Sequence, residues 1–380
     1  MIAARTRPRG VVPDEVPIDR DHLMRQVTGT PADLASHYLS HGLAQRLDPT
    51  PFFATDWYAW QNPDWTSHAA PYLHYLDRGR AEGRDPSPFV DMRRYLDATG
   101  LSDPTRAYEM ILAGLRGPSL GVYDGPDDLR RRQSAFLDAI SPLAHRMRPP
   151  ATPKRALVVL QAGAGAVARD WSGEGRTWDL LVNYYDARGF RPGFGDMAMF
   201  QKGTKFTAMW MFWRRYRSCL SPYEHVLFLD DDVSVGVDEL NALFEACRVH
   251  VLDLAQMTLT PQSSCNWPQL FACEGQRGPR EVTAVEIMMP VVSHRALEWI
   301  SPTFDASVSG FGLDLAWGRI VRDRGGRVAV LDDVRATHER PVDQSGGSYY
   351  SYLRRHGINA KAELWTTIQA HGADRDVLSL

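Results

Sequence analysis

Lysine, cysteine and long apolar runs are all scarce in this chain of 380 residues. Only four of its 43 basic residues are lysines: Lys154, Lys202, Lys205 and Lys361. The four cysteines (Cys219, Cys247, Cys265 and Cys273) show no CxxC spacing. That excludes a disulfide-dense scaffold and a cysteine zinc cluster, and makes a reducing, cytoplasmic setting the expectation. No apolar stretch approaches the roughly 20 residues that span a bilayer. The opening MIAARTRPRGVVPDEVP lacks the apolar run of a secretion signal. With a net charge of −3 there is no global basic field to hold nucleic acid by its phosphates. What remains, 44% hydrophobic and 23% charged residues, is ordinary globular composition, with length for two or three domains.

The chain divides by texture. Residues 1–30 read as a flexible tail rich in Pro, Arg and Asp. An internal repeat follows. His37-Tyr38-Leu39, Gly42 and Asp48-Pro49-Thr50-Pro51-Phe52 return 37 residues later as His74-Tyr75-Leu76, Gly79 and Asp85-Pro86-Ser87-Pro88-Phe89, and Tyr58 maps onto Tyr95. A fixed period of this size marks a stacked supersecondary unit, so residues 31–118 are expected to form a small all-α repeat domain with a degraded third copy over 108–117. Its aromatic residues (Trp57, Tyr58, Trp60, Trp65, Tyr72 and Tyr75) serve either packing between repeats, the plainer explanation, or a platform for an acceptor polymer or an assembly partner, while Arg78, Arg80 and Arg84 are the candidates to meet anionic membrane lipid or polysaccharide. Residues 119–153 read as a linker helix closed by Pro149, Pro150 and Pro153.

From 154 to about 370 the pattern is α/β. Continuous apolar runs at Ala156–Gln161, Leu180–Tyr185 and Val226–Leu229 predict strands buried on both faces. Helical spacing covers 206–220, 236–249 and 314–324, and further strands are expected at 251–258, 282–292 and 327–331. This alternation predicts a mixed, mostly parallel Rossmann-like sheet, whose ligand site lies beyond the carboxyl ends of its strands.

Directly after the third strand stands Asp230-Asp231-Asp232. Three adjacent carboxylates repel one another unless a cation neutralises them. Asp230 and Asp232, two residues apart, can face one hard ion such as Mn2+ or Mg2+. A solvated acidic turn that caps the next helix is the plainer reading. Two enzyme chemistries use such a strand end: transfer from a nucleotide-diphosphate sugar, and phosphatase chemistry of the haloacid-dehalogenase kind, with Asp230 as nucleophile, Asp232 as acid/base and Asp332-Asp333 as a later motif. The phosphatase also needs a lysine between those elements, and none lies between Lys205 and Lys361. A non-catalytic glycan-binding scaffold is the third possibility.

Residues 154–360 resemble a GT-A glycosyltransferase, most closely the uncharacterised bacterial and plant proteins grouped as the DUF707-like family. The matching pieces are Phe228-Leu229-Asp230-Asp231-Asp232, Gly310-Phe311-Gly312-Leu313-Asp314-Leu315-Ala316-Trp317-Gly318 and Val334-Arg335-Ala336-Thr337-His338-Glu339-Arg340-Pro341. The repeat at 74–89 resembles segments found beside glycosyltransferase domains in bacterial polysaccharide loci. The resemblance implies a GT-A fold, a divalent metal and a nucleotide-diphosphate sugar as donor. A glycan or glycoconjugate in surface polysaccharide biosynthesis is the implied acceptor. Asp230, Asp232 and His338 become the metal site. Asp314 becomes the general base, or a helix cap, or an acceptor-binding group. Glu286 is an alternative base or a buried structural carboxylate. Donor contacts are expected from Gln161 in the first βα loop, Asp186, Lys205 at a helix start, Asp230 and Asp231. Phe311, Trp210, Trp213 and Trp267 are candidates for sugar stacking, although tryptophans at helical spacing are more often core.

Overall fold

The computed structural model describes residues 16–29, 31–140, 143–167, 171, 175–273, 275–341 and 347–373. Two compact units are present, Met1–Arg131 and Arg132–Leu380.

The first unit is built of short helices around tyrosine. Tyr38, Tyr58, Tyr72, Tyr75, Tyr95 and Tyr108 are all buried, and five of the rings meet edge-on in the pairs Tyr38–Tyr72, Tyr58–Tyr75 and Tyr75–Tyr108, the last with centroids 5.0 Å apart. Corresponding positions of the 37-residue period make corresponding bonds. Asp48 Oδ1 accepts the N–H of Thr55 at 2.7 Å, and Asp85 Oδ1 accepts that of Met92 at 2.8 Å. Gly79 is required by packing, because a Cβ there would lie 2.1 Å from the Tyr58 hydroxyl. Of the aromatic residues considered as a platform, Trp57, Tyr58, Tyr72 and Tyr75 are interior.

The first 15 positions of the expected tail lie outside the described residues. Residues 16–29 depart from that expectation. Asp19 caps the helix Arg20–Met24, Leu23 is fully buried, and Gln26 exchanges two hydrogen bonds with the backbone of Asp48 at 2.8 and 2.9 Å.

The second unit is a mixed, mostly parallel α/β sheet. Its strands are β1 (Leu143–Arg146), β2 (Ala156–Ala162), β3 (Trp178–Tyr184), β4 (Met197–Phe200), β5 (His225–Leu229), β6 (Val233–Ser234), β7 (Leu254–Leu259), β8 (Pro279–Glu281), β9 (Val291–Ser293) and β10 (Val328–His338). The order is β1-β4-β3-β2-β5-β9-β7-β10-β6, with β8 on β10. β4, β3, β2 and β5 run parallel, as do β7 and β10, and antiparallel β9 joins the two blocks. β2, β3, β5 and β7 are buried along their whole length, as their apolar runs require. One face packs on the helices Lys205–Tyr216, His294–Ile300 and Leu313–Asp323 through Leu157, Val159, Leu181, Val226, Phe228, Phe206, Phe304 and Trp317. Trp317 is wholly buried and gives its indole N–H to Thr303 Oγ1 at 2.8 Å.

Three expectations need correction. The stretch 119–153 holds not only a helix, Pro126–Ala139, but also β1, which pairs with β4. The strand expected over 282–292 is an irregular segment for most of its length: β8 ends before it at Glu281, and β9 begins only at Val291. Pro290 interrupts that segment, and its N–H groups find side-chain acceptors in place of a ladder: Gln256 Oε1 for Glu286 and Glu286 Oε2 for Met288, both at 2.7 Å. β10 continues beyond 331 through a register shift between Leu331 and Arg335, and runs to His338.

Candidate functional site

The site is the carboxyl end of β5. Two antiparallel pairs, Thr337 with Ser234 and His338 with Val233, staple the end of β10 to β6 just beyond the acidic triplet. Glu339 N–H adds a bond to the carbonyl of Asp232 at 2.9 Å. His338 is thereby carried to within 3.5 Å of Asp232, Nε2 to Oδ1. Its Nδ1 lies 2.5 Å from the carbonyl of Ser264. A carbonyl only accepts, so Nδ1 carries the proton and Nε2 is the nitrogen presented to the carboxylate. Burial lowers the basicity of this imidazole, but the hydrogen bond and charge of Asp232 and the Ser264 carbonyl outweigh it and raise its pKa to about 9. Burial opposes the charge of Asp232, and His338 with Arg340 still holds its carboxyl below the ordinary value.

The other two aspartates are held by other partners. Asp231 is buried, accepts the Tyr185 hydroxyl at 2.6 Å and the Gly163 N–H at 3.2 Å, and lies 3.9 Å from Arg340. It ties the loop after β2 to the triplet. Tyr185 lies so close to Gly163 that a Cβ on the glycine would fall 2.4 Å from the ring.

Asp230, expected among the metal ligands and donor contacts, is bound to Lys205: Nζ to Oδ1 is 2.7 Å. The same ammonium reaches the carbonyls of Ile287 and Met288, the latter at 3.1 Å. Three acceptors use all three ammonium protons, so Lys205 faces protein rather than the phosphate expected for it. Burial raises the Asp230 carboxyl to about 7 against the pull of Lys205. The pair holds β5, the start of the Lys205–Tyr216 helix and the Glu286–Met288 segment together.

Two more carboxylates, the buried Asp314 and the half-buried Glu286, complete the site. Asp314 stands in the first turn of Leu313–Asp323, with Oδ1 accepting the N–H of Leu315 at 2.8 Å. Burial first, and the charge of Glu286 second, push its pKa to about 8. Burial also raises that of Glu286. Gly312, at φ +86°, opens this helix where a Cβ would strike Thr367 and Leu364.

The remaining expected residues are placed as follows. Gln161 lies within β2, with its Oε1 taking the Asn183 amide at 2.7 Å, so it is committed to the sheet rather than to a loop. Asp186 caps the turn Ala187–Gly189 and is paired with Arg188 at 2.7 Å. Trp210 and Trp213 pack on the core with Arg214 and Arg217 over their rings. Trp267 is buried. Phe311 meets Tyr350 edge-on. Tyr185, Ser264 and Arg340 were given no role at the site by the sequence, although Arg340 lies in the segment that carries His338. Nothing in the local pattern signals them, because each acts through a residue distant in the chain.

Among the described residues no three His, Cys, Asp or Glu side chains converge on one point. Asp232 and His338, 3.5 Å apart, are the two side chains here that could hold a metal. The donor set suits Mn2+, and a ligating histidine ordinarily gives its other N–H to a carbonyl, as His338 does. Magnesium-like ions likewise take one or two protein ligands and fill their remaining positions with water and substrate phosphates.

No family model matches the chain, and no curated protein matches it. Among solved structures, the chain is similar to the crystal structure of GalNAc-T7 with UDP, GalNAc and Mn2+, at a TM-score of 0.36 and 9% identity over 66% of this chain. The match spans 64% of that chain's length. No helix among the described residues is long and apolar enough to cross a membrane.

Proposed function

We propose that this chain is a metal-dependent glycosyltransferase of the GT-A kind, moving a sugar from a nucleotide-diphosphate donor to a hydroxyl of a glycan or glycoconjugate. The observation that carries the reading is the Asp232–His338 pair, 106 positions apart in sequence, set side by side at the end of a buried strand with Nε2 facing the carboxylate. Asp232 and His338 would hold a divalent cation, which would supply positive charge to the leaving diphosphate. Asp314 receives the proton of the acceptor hydroxyl, since a carboxyl with a pKa near 8 is a far stronger base than an ordinary carboxylate. Glu286, whose Oε2 is spent on Met288 N–H, keeps Asp314 basic through its charge. Asp231, Tyr185 and Arg340 line the donor side, with Asp186 beyond them.

The phosphatase alternative lacks its parts. Asp332 is paired with Arg280 at 2.9 Å and Asp333 accepts the Gly278 N–H at 2.6 Å, both within the irregular stretch of β10. The lysine that does reach Asp230 is Lys205, which precedes that residue in the chain.

A surface polysaccharide as the product, action at the cytoplasmic face of the membrane, and a partner for the first unit belong to the same proposal. The test is binding and turnover of UDP- and GDP-sugars with and without Mn2+. Turnover that vanishes on chelation and in Asp232→Ala supports it. Full turnover of Asp232→Ala with Mn2+ bound overturns it. Metal-independent binding of a glycan by residues 16–131 in a chain without turnover would favour the scaffold reading.

A further inference from the structure

Glu363 is a carboxylate that the proposed chemistry does not use. It lies in the helix Ala360–His371 and is completely buried. Four donors converge on it. Gln133 Nε2 and the N–H of Val308 reach Oε1, both at 2.8 Å, while Ser309 N–H at 2.7 Å and Ser307 Oγ at 3.3 Å reach Oε2. No Lys or Arg is among these partners. Donors on every side suit an acceptor-only, ionised carboxylate, and two come from consecutive backbone amides.

The loop so held is bonded through its other polar atoms as well. Thr204 Oγ1 gives its proton to the carbonyl of Val308 at 2.5 Å and Tyr349 to that of Ser309 at 2.8 Å. Ser307 Oγ is within reach of Phe311 O at 3.0 Å, and Ser309 Oγ accepts the Phe311 N–H at 3.3 Å. Gln133 also gives a bond to Ala306 O at 2.9 Å. Gly310-Phe311-Gly312-Leu313-Asp314 continues directly from this loop, and Gly312 rests on Leu364 and Thr367, the next turn of the helix that carries Glu363. An apolar side chain would fill the space of Glu363 at lower desolvation cost but would leave two adjacent amides without acceptors.

We propose that Glu363 is a positioning residue: by clamping the amides of Val308 and Ser309 it sets the turn that aims Asp314 at the acceptor hydroxyl. This rests on the reading of Asp314 as the base. It assigns to the C-terminal helix a part in the reaction that no motif in the sequence marks.

The test compares wild type, Glu363→Gln, Glu363→Ala and Asp314→Asn in the full chain. Calorimetry with Mn2+ and UDP reads the metal and donor side. Hydrolysis of UDP- and GDP-sugars, with water as acceptor, reads turnover, and hydrogen exchange reads the amides of 308–311. Glu363→Gln, which keeps one oxygen and turns an NH2 toward a backbone donor, is expected to bind Mn2+ and UDP within twofold of wild type. One of its 308 and 309 amides, the one left facing the NH2, exchanges at least tenfold faster, and kcat falls tenfold or more. Should Glu363→Ala fail to fold, Glu363→Gln with Gln133→Ala decides the matter. Wild-type kcat in Glu363→Gln overturns the proposal, whatever the exchange rates. Full turnover of Asp314→Asn, whose Glu363 contacts are intact, overturns instead the base reading beneath it.

Discussion

His338 stands opposite Val233 in an antiparallel ladder, and that register sets its Nε2 3.5 Å from Oδ1 of Asp232. A slip of one residue would turn the imidazole to the other face and dissolve the pair.

Metal affinity is therefore expected to depend on both residues. His338→Ala and Asp232→Asn should each weaken Mn2+ binding strongly. Mutation of Ser264 should do little, because its contribution is a backbone carbonyl. Titration followed by electron paramagnetic resonance checks this, and unchanged affinity in His338→Ala rules that residue out as a ligand.

Lys205→Met should destabilise the second unit by about 1–3 kcal/mol, since the Ile287 and Met288 carbonyls and Asp230 lose their shared donor. Asp230→Asn, which keeps an acceptor for the ammonium, should cost less. Urea denaturation of the two variants gives the order, and the reverse order counts against the pairing.

Asp314 predicts a pH dependence with a definite sign. Its folded pKa, about 8, lies above the unfolded value, so between roughly pH 4 and 8 the folded state holds a proton that the unfolded state has released. Its contribution to stability is greatest at the acid end and falls as pH rises through that window. Turnover runs the other way, rising toward pH 8 as the base is freed. Asp314→Asn should remove both slopes, as denaturation and rate profiles would show.

Asp253 predicts the opposite slope. It is almost wholly buried and accepts from Ser293, Arg295 and the N–H of Arg327. Burial opposes its charge, but these bonds depress its pKa. The stabilisation is present above the ordinary carboxylate range and is lost as pH falls through the lowered value. Asp253→Ala should cost about 1–3 kcal/mol at neutral pH and flatten the acid limb of the stability curve.

In the first unit, Gly79→Ala places a methyl on the Tyr58 hydroxyl and should cost about 1–3 kcal/mol. Tyr58→Phe loses the 2.9 Å bond to His74 Nδ1 but clears that clash. The double variant should be more stable than the sum of the two single losses predicts, a non-additivity that thermal unfolding detects.

Much of this was legible in the chain. Apolar runs located β2, β3 and β5 because strands covered on both faces need no polar alternation, and the 3.6-residue period located the helices Val237–Val249 and Leu313–Asp323. The short strands β1 and β4 escaped, since four residues carry too little pattern. The run at 282–292 misled, because an apolar composition does not reveal that Glu286 and Gln256 would satisfy its amides.

The sequence by itself determined which carboxylates lie at a strand end and that a histidine stands near the end of the last strand, for these are matters of local order and burial. Only the tertiary structure decided that Lys205 takes Asp230, that Asp231 belongs to Tyr185, and that Asp232 is left for His338. Each of those choices is made by groups 25 to 106 residues apart, and side chains so separated compete for one another only after the sheet has closed.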